Sequence, residues 1–140
     1  MGINNKIEQK KQIKKNVTYE FHHLGIPTSE IKPNEFYSPV MKMYTSDNPG
    51  KFKVQWHRFE KDTPLSKSLT TQPHAAFKVN DLAAAIEGEE VLLGPYEPID
   101  DFKVAIINDC GVPVELTQTE LSDEELWKRA ENGQGSIYKS

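Results

Sequence analysis

The chain has 140 residues, enough for one compact domain or two small fused modules, and carries a net charge of −4 with a single cysteine, Cys110. This acidic balance, without a basic face interleaved with aromatics, argues against a nucleic-acid partner. No apolar run is long enough to span a membrane, no signal peptide is expected, and one cysteine rules out an internal disulfide and suits a reducing, cytoplasmic setting.

Residues 1–16 are polar and basic, with isoleucines too sparse for an amphipathic face, and read as a flexible N-terminal tail. Residues 17–28 alternate as a strand, with Val17, Tyr19, Phe21, His23 and Gly25 on one face and His22 on the other. Residues 29–39, bracketed by Pro33 and Pro39, leave room for a short helix at most. Residues 40–46 and 51–59 read as a hairpin around Asp47-Asn48-Pro49-Gly50, with Lys53, Gln55 and His57 sharing a face. Residues 60–72 read as a linker.

The pattern then restarts. Residues 73–79 form a strand, and Asn80 or Asp81 caps a helix that Gly88 stops. Residues 89–94 and 102–108 are strands, with a loop over 95–101 between them. Residues 112–118 are the final strand, and Ser122 with Glu125 opens a helix to about Asn132, followed by a loose tail.

In the last strand Glu115 lies between apolar neighbours, where an unpaired charge is costly to bury. It needs an open sheet edge, a cation or a metal. The two halves repeat the order of strand, helix and strands, and a histidine opens the first strand of each. A polar residue follows a valine in the last strand of each, as Val54-Gln55 and Val114-Glu115. Pairing about a pseudo-two-fold axis would bring His23, Gln55, His74 and Glu115 to one cavity, a donor set suited to a divalent first-row metal. His57, two residues beyond Gln55 on the same face, is a candidate pocket base or alternative ligand, because imidazole titrates near neutral pH. Tyr44 and Tyr96 are open choices for substrate contact.

The segments FHHLGIPT, KVQWHRFEKDTPL, PHAAFKVNDL and GVPVELTQT resemble the vicinal oxygen chelate (glyoxalase, bleomycin-resistance and extradiol dioxygenase) superfamily. Within it they are most similar to methylmalonyl-CoA epimerases, whose ligands run His, Gln, His, Glu. The resemblance, over about residues 18–120, implies an α+β fold of paired βαβββ modules (17–59 and 73–120) in one domain, with a U-shaped mixed sheet around a metal-binding cavity; residues 121–140 lie beyond it as a C-terminal helix and tail. It implies metal ligands at His23, Gln55, His74 and Glu115, with the ion one of Zn, Ni, Co, Mn or Fe. It further implies an isomerase or lyase that stabilises an enolate of a small oxygen-bearing substrate, with Glu115 either staying a ligand or detaching as the general base; His57 is the candidate second acid/base on its residue chemistry alone. The alternatives are a metal-free small-molecule binding or resistance protein and an Fe(II)-dependent dioxygenase. Members of the superfamily often pair, so a homodimer is expected. Where the epimerases carry a second catalytic glutamate this chain has Ser38-Pro39; Glu35 is the nearest acid.

Overall fold

In the computed structural model, which describes residues 14–139, eight strands form one mixed sheet. They are β1 (Tyr19–Pro27), β2 (Phe36–Ser38), β3 (Met43–Asp47), β4 (Val54–Phe59), β5 (His74–Val79), β6 (Glu90–Ile99), β7 (Phe102–Asp109) and β8 (Val112–Gln118). Their order across the sheet is β2-β3-β4-β1-β5-β8-β7-β6. The antiparallel β1–β5 pair is the centre of this symmetric order. Parallel neighbours β4 and β8 flank it, then β3 and β7, then β2 and β6. The sheet curls into a half-barrel, so the fold is the α+β, paired-module kind expected. Among the described residues three helices accompany it: α1 (Lys67–Thr71), α2 (Leu82–Ile86) and α3 (Asp123–Glu131), the last followed by a 3₁₀ turn at Ser136–Tyr138.

Strand β7 is the spine of the second half's core. Its run from Val104 to Ile107 is buried without interruption, as a strand covered on both faces must be. Ala105 and Ile107 face outward and pack with Leu116 against Leu82 and Ala85 of α2. Phe102, Val104 and Ile106 face the concave side and pack against Leu126 of α3. Both helices start on good caps. Asp81 accepts the amide of Ala84, and Gln118 Oε1 accepts the Leu82 amide at 2.7 Å. Ser122 and Glu125 form the reciprocal capping box expected at α3.

The first half lacks the matching helix. No helix lies over residues 28–35, and the three-residue strand β2 follows directly. Loop residues cover the outer face instead. Lys32 Nζ lies 4.2 Å from the centre of the Trp56 ring, and Glu35 holds Arg58 through two hydrogen bonds of 2.8 and 3.0 Å. Arg58 in turn lies over Tyr44.

Other expectations need correction. Residues 60–72 contain α1, whose Leu69 is buried beside Phe102 and Val104, so one apolar side chain anchors what reads as a polar linker. Residues 95–99 continue β6 instead of looping, in a strand whose pairing with β7 shifts register at three places between Val91 and Ile99. The segment beyond Gly133 is tied down: Ile137 is buried, its carbonyl accepts Ser38 Oγ at 2.5 Å, and Ser136 Oγ donates to the Glu97 carbonyl. The expected flexible tail at 1–16 lies, up to residue 13, outside the described residues. No helix among the described residues is long and apolar enough to cross a membrane.

Candidate metal centre

Three adjacent strands bring His23 (β1), His74 (β5) and Glu115 (β8) together, each offering one ligand atom within 4.8 Å of the others. His74 Nε2 lies 3.3 Å from Glu115 Oε1, and His23 Nε2 lies 3.9 Å from Glu115 Oε2. Both Nε2 atoms are buried, and neither has a well-aligned hydrogen-bond partner: the His74 Nε2 contact with Glu115 is close but poorly directed. Buried polar atoms in folded proteins almost always have partners, so two orphans aimed at one carboxylate mark a place for a further group. Two imidazoles and a carboxylate suit a divalent first-row ion.

Strand register gives these positions their symmetry. Gly25, two residues after His23, pairs with Gln55, and Ala76, two residues after His74, pairs with Glu115. Gln55 is therefore the positional twin of Glu115, and it lines the same cavity as His23 and Glu115. Gly25 also sits opposite His74 across the β1–β5 pair. A Cβ there would lie 2.5 Å from His74 Nε2 and 2.8 Å from Nδ1, so the missing side chain is what lets the imidazole lie across β1.

The charges follow from burial and crowding. Burial of Glu115 alone would raise its pKa, but the imidazoles of His74, His23 and His57 outweigh it and hold the carboxyl at about 2. Burial, opposed by the Glu115 charge, lowers His23 to about 4, leaving a neutral ring at neutral pH. His57 lies beside the cluster, its ring stacked on His74 with centroids 5.5 Å apart and its Nδ1 3.2 Å from Thr45 Oγ1. Burial and the neighbouring imidazoles push it down to about 3. A histidine so desolvated stays neutral, which runs against the near-neutral titration that its residue type suggests. Its Nε2 is a third buried orphan.

The cavity holds about 90 Å³ and is roofed by the C-terminal segment: Leu126, Trp127, Ala130, Ile137 and Tyr138 line it opposite the sheet. Tyr96 lines it too, its hydroxyl held neutral by burial. Tyr44 points away, under Arg58 on the outer face. Glu35 is engaged by the same arginine, whose hydrogen bonds lower its pKa, and is no stand-in for a second acid at Ser38-Pro39. Ser38 instead donates to the Ile137 carbonyl.

Regular alternation along β1 would put His22 on the face opposite His23. The structure puts both inside. A bulge between Phe21 and His23 inserts one residue into β1, so Phe21 stays outward while His22 and His23 both turn in. Their Nδ1 atoms meet at 2.8 Å, and His22 Nε2 lies 3.1 Å from Asp123 Oδ1 at the start of α3. Lys53 closes the row by bonding the other Asp123 oxygen. Burial and the Lys53 charge lower the His22 pKa, so this ring too is neutral. Adjacent histidines in a strand are the only sequence signal for the bulge, and nothing in the sequence joins them to Asp123, which is 101 residues away from His22.

Comparison with known proteins gives the fold a relative. The crystal structure of methylmalonyl-CoA epimerase from Mycobacterium tuberculosis matches with a TM-score of 0.53 and 14% identity, over 81% of this chain and 96% of that one. No protein-family model and no curated protein sequence matches the chain. The similarity is one of fold.

Proposed function

We propose that this protein is a metal-dependent isomerase or lyase acting on a small oxygen-bearing carbon acid, with a divalent ion held by His23, His74 and Glu115. The observation that carries the reading is the pair of buried, unpartnered Nε2 atoms of His23 and His74 converging on Glu115. The register twin Gln55 is the proposed fourth donor, offering an amide oxygen. When bound, such an ion supplies Lewis-acid polarisation of the substrate's oxygens. Glu115 is ionised and is the group proposed to take the substrate's proton on a carboxylate oxygen. His57, neutral, orients the substrate through Nε2 while Thr45 fixes the ring from behind. Leu126, Trp127 and Ile137 exclude water, which strengthens every polar contact inside.

The cavity bears on substrate size. Pockets for drug-sized ligands run to about 300–1,000 Å³, several times the 90 Å³ here. A substrate of a few heavy atoms fits that space better than a thioester of the kind for which the structural neighbour is named. The missing second glutamate points the same way, toward one acid/base on Glu115 instead of the two-base exchange of an epimerase.

The test is metal analysis of the purified wild type, His74→Ala and Glu115→Gln. Near-stoichiometric metal in the wild type and its loss in both variants is expected; equal, substoichiometric metal in all three would sink the reading. Two histidines and one carboxylate are also the donor set of iron-dependent oxygenases. Ferrous iron in the protein, with oxygen uptake on a catechol, would move the assignment there.

A further inference from the structure

Behind the three candidate ligands stands a row of side chains that the proposed reaction does not use: His22, Asp123 and Lys53. We propose that Asp123, acting through His22, is a positioning residue that fixes which nitrogen of His23 carries its proton, so that Nε2 presents a bare lone pair to the ion. The inference rests on the metal reading above and extends it to the C-terminal helix.

The geometry leaves one assignment. Asp123 is paired with Lys53 and is a carboxylate, able only to accept, so at 3.1 Å His22 Nε2 must carry the hydrogen that it receives. A neutral imidazole has one N–H, which leaves His22 Nδ1 bare. That bare nitrogen lies 2.8 Å from His23 Nδ1, a distance at which one of the two must donate, so the hydrogen is on His23. His23 is then protonated at Nδ1 and bare at Nε2, the atom facing Glu115 and its companion His74. Ligating histidines usually hand their second N–H to a carboxylate or carbonyl. Here the carboxylate is one imidazole further away. Two local features build the row: the β1 bulge that turns His22 inward, and the capping box that sets Asp123 as the first residue of α3.

Asp123→Asn keeps the shape but can donate. An amide N–H facing His22 Nε2 lets His22 hold its hydrogen on Nδ1, which then points at His23 and drives that ring's hydrogen onto Nε2, the wrong nitrogen for a ligand.

The experiment combines two readouts. Long-range proton–nitrogen NMR of the metal-free wild type should show His23 protonated at Nδ1 and His22 at Nε2, with both assignments reversed in Asp123→Asn. Zinc affinity, measured by competition with a chromophoric chelator, should fall about 10- to 100-fold in Asp123→Asn, the usual loss for an outer partner of a ligating histidine. Ser122→Ala serves as the structural control: it weakens the start of α3 but leaves the carboxylate, and should lower the metal-free thermal midpoint while leaving zinc affinity nearly unchanged. A wild-type His23 protonated at Nε2 overturns the proposal. So does equal zinc affinity in wild type and Asp123→Asn, or an equal loss in Ser122→Ala. A wild type that binds no zinc or other divalent ion overturns the metal reading itself, a result distinct from these because the NMR assignment is made without metal.

Discussion

Gly25→Ala is the most exacting test of the candidate centre, because it changes no ligand. The added Cβ would sit 2.5 Å from His74 Nε2 and 2.8 Å from Nδ1, with Cε1 closer still. Comfortable contact begins at about 3.5 Å, so the ring must withdraw by about 1 Å. Little room exists for that: His74 is buried, stacked against His57 and edge-on to His23. Overpacking of this kind costs about 1–3 kcal/mol. For a domain of this size that lowers the thermal midpoint by about 3 °C per kcal/mol. The larger effect falls on the metal. A ligand displaced by about 1 Å loses its alignment with Glu115 Oε1, now 3.3 Å away, and the loss should exceed the about 10- to 100-fold typical of outer-partner removal. The assay is zinc or cobalt titration against a competing chelator, beside a thermal melt in EDTA. Unchanged affinity with an unchanged metal-free midpoint would refute the account of Gly25 as the seat of His74, and with it the geometry assigned to the cluster.

Acid should destabilise the metal-free protein earlier than carboxylate titration alone would. His23 and His57 are held at about 4 and about 3, below the ordinary histidine value, so below pH 6.5 the unfolded chain takes up protons that the folded chain refuses. Stability is therefore full above that pH and falls as pH drops, and Glu115, held at about 2, adds a further loss below about pH 4.5. Urea unfolding in EDTA should give roughly 4 kcal/mol less stability at pH 5 than at pH 7.5, about half of it removed in His57→Gln; a flat profile over that window would contradict the burial of both rings. Trp127→Ala, which removes part of the cavity roof and its contact with Phe36 5.7 Å away, should cost about 3 kcal/mol and let zinc-loaded protein bind longer 2-oxo acids relative to pyruvate; an unaltered size preference would show that the roof does not limit the substrate.

The second half was the more legible one because its local signals agree with its packing. Val114-Glu115-Leu116 alternates as a strand with one face toward α2 and the other toward the cavity, and Asp81, Gly88, Ser122 and Glu125 stand at their cap positions. In the first half local and tertiary signals part. A regular alternation sent His22 outward, and only pairing with β5 reveals the bulge that turns it in. The second half has one such place: residues 95–99 carry two prolines and read as a loop, yet irregular pairing with β7 keeps them in the sheet. The roof was illegible for a different reason. Ile137 and Tyr138 stand alone in a polar stretch, and no periodicity marks a segment whose burial depends on a cavity built by distant strands.

The two departures from symmetry act on opposite faces of one sheet. In the second half α2 covers the outer face and α3 the concave face, so β7 and β8 are buried from both sides. In the first half a polar loop replaces the outer helix, and Trp56 and Arg58 are shielded by Lys32 and Glu35 instead of by apolar packing. That face contributes less hydrophobic stabilisation. The C-terminal segment reaches the weaker half from the concave side: Trp127 packs on Phe36, and Ser38 bonds Ile137. Asp123 engages His22 and Lys53. One segment thus ties β1, β2 and the approach to β4 to the stronger half. The same placement that supports the short first module also shrinks the cavity and puts a carboxylate behind His23. Stability of the first half and selection of a small ligand are, on this geometry, consequences of the same helix. A variant that removes the roof contacts, such as Trp127→Ala, should therefore weaken both together, whereas a change confined to Lys32 or Glu35 on the outer face should lower stability and leave metal affinity untouched.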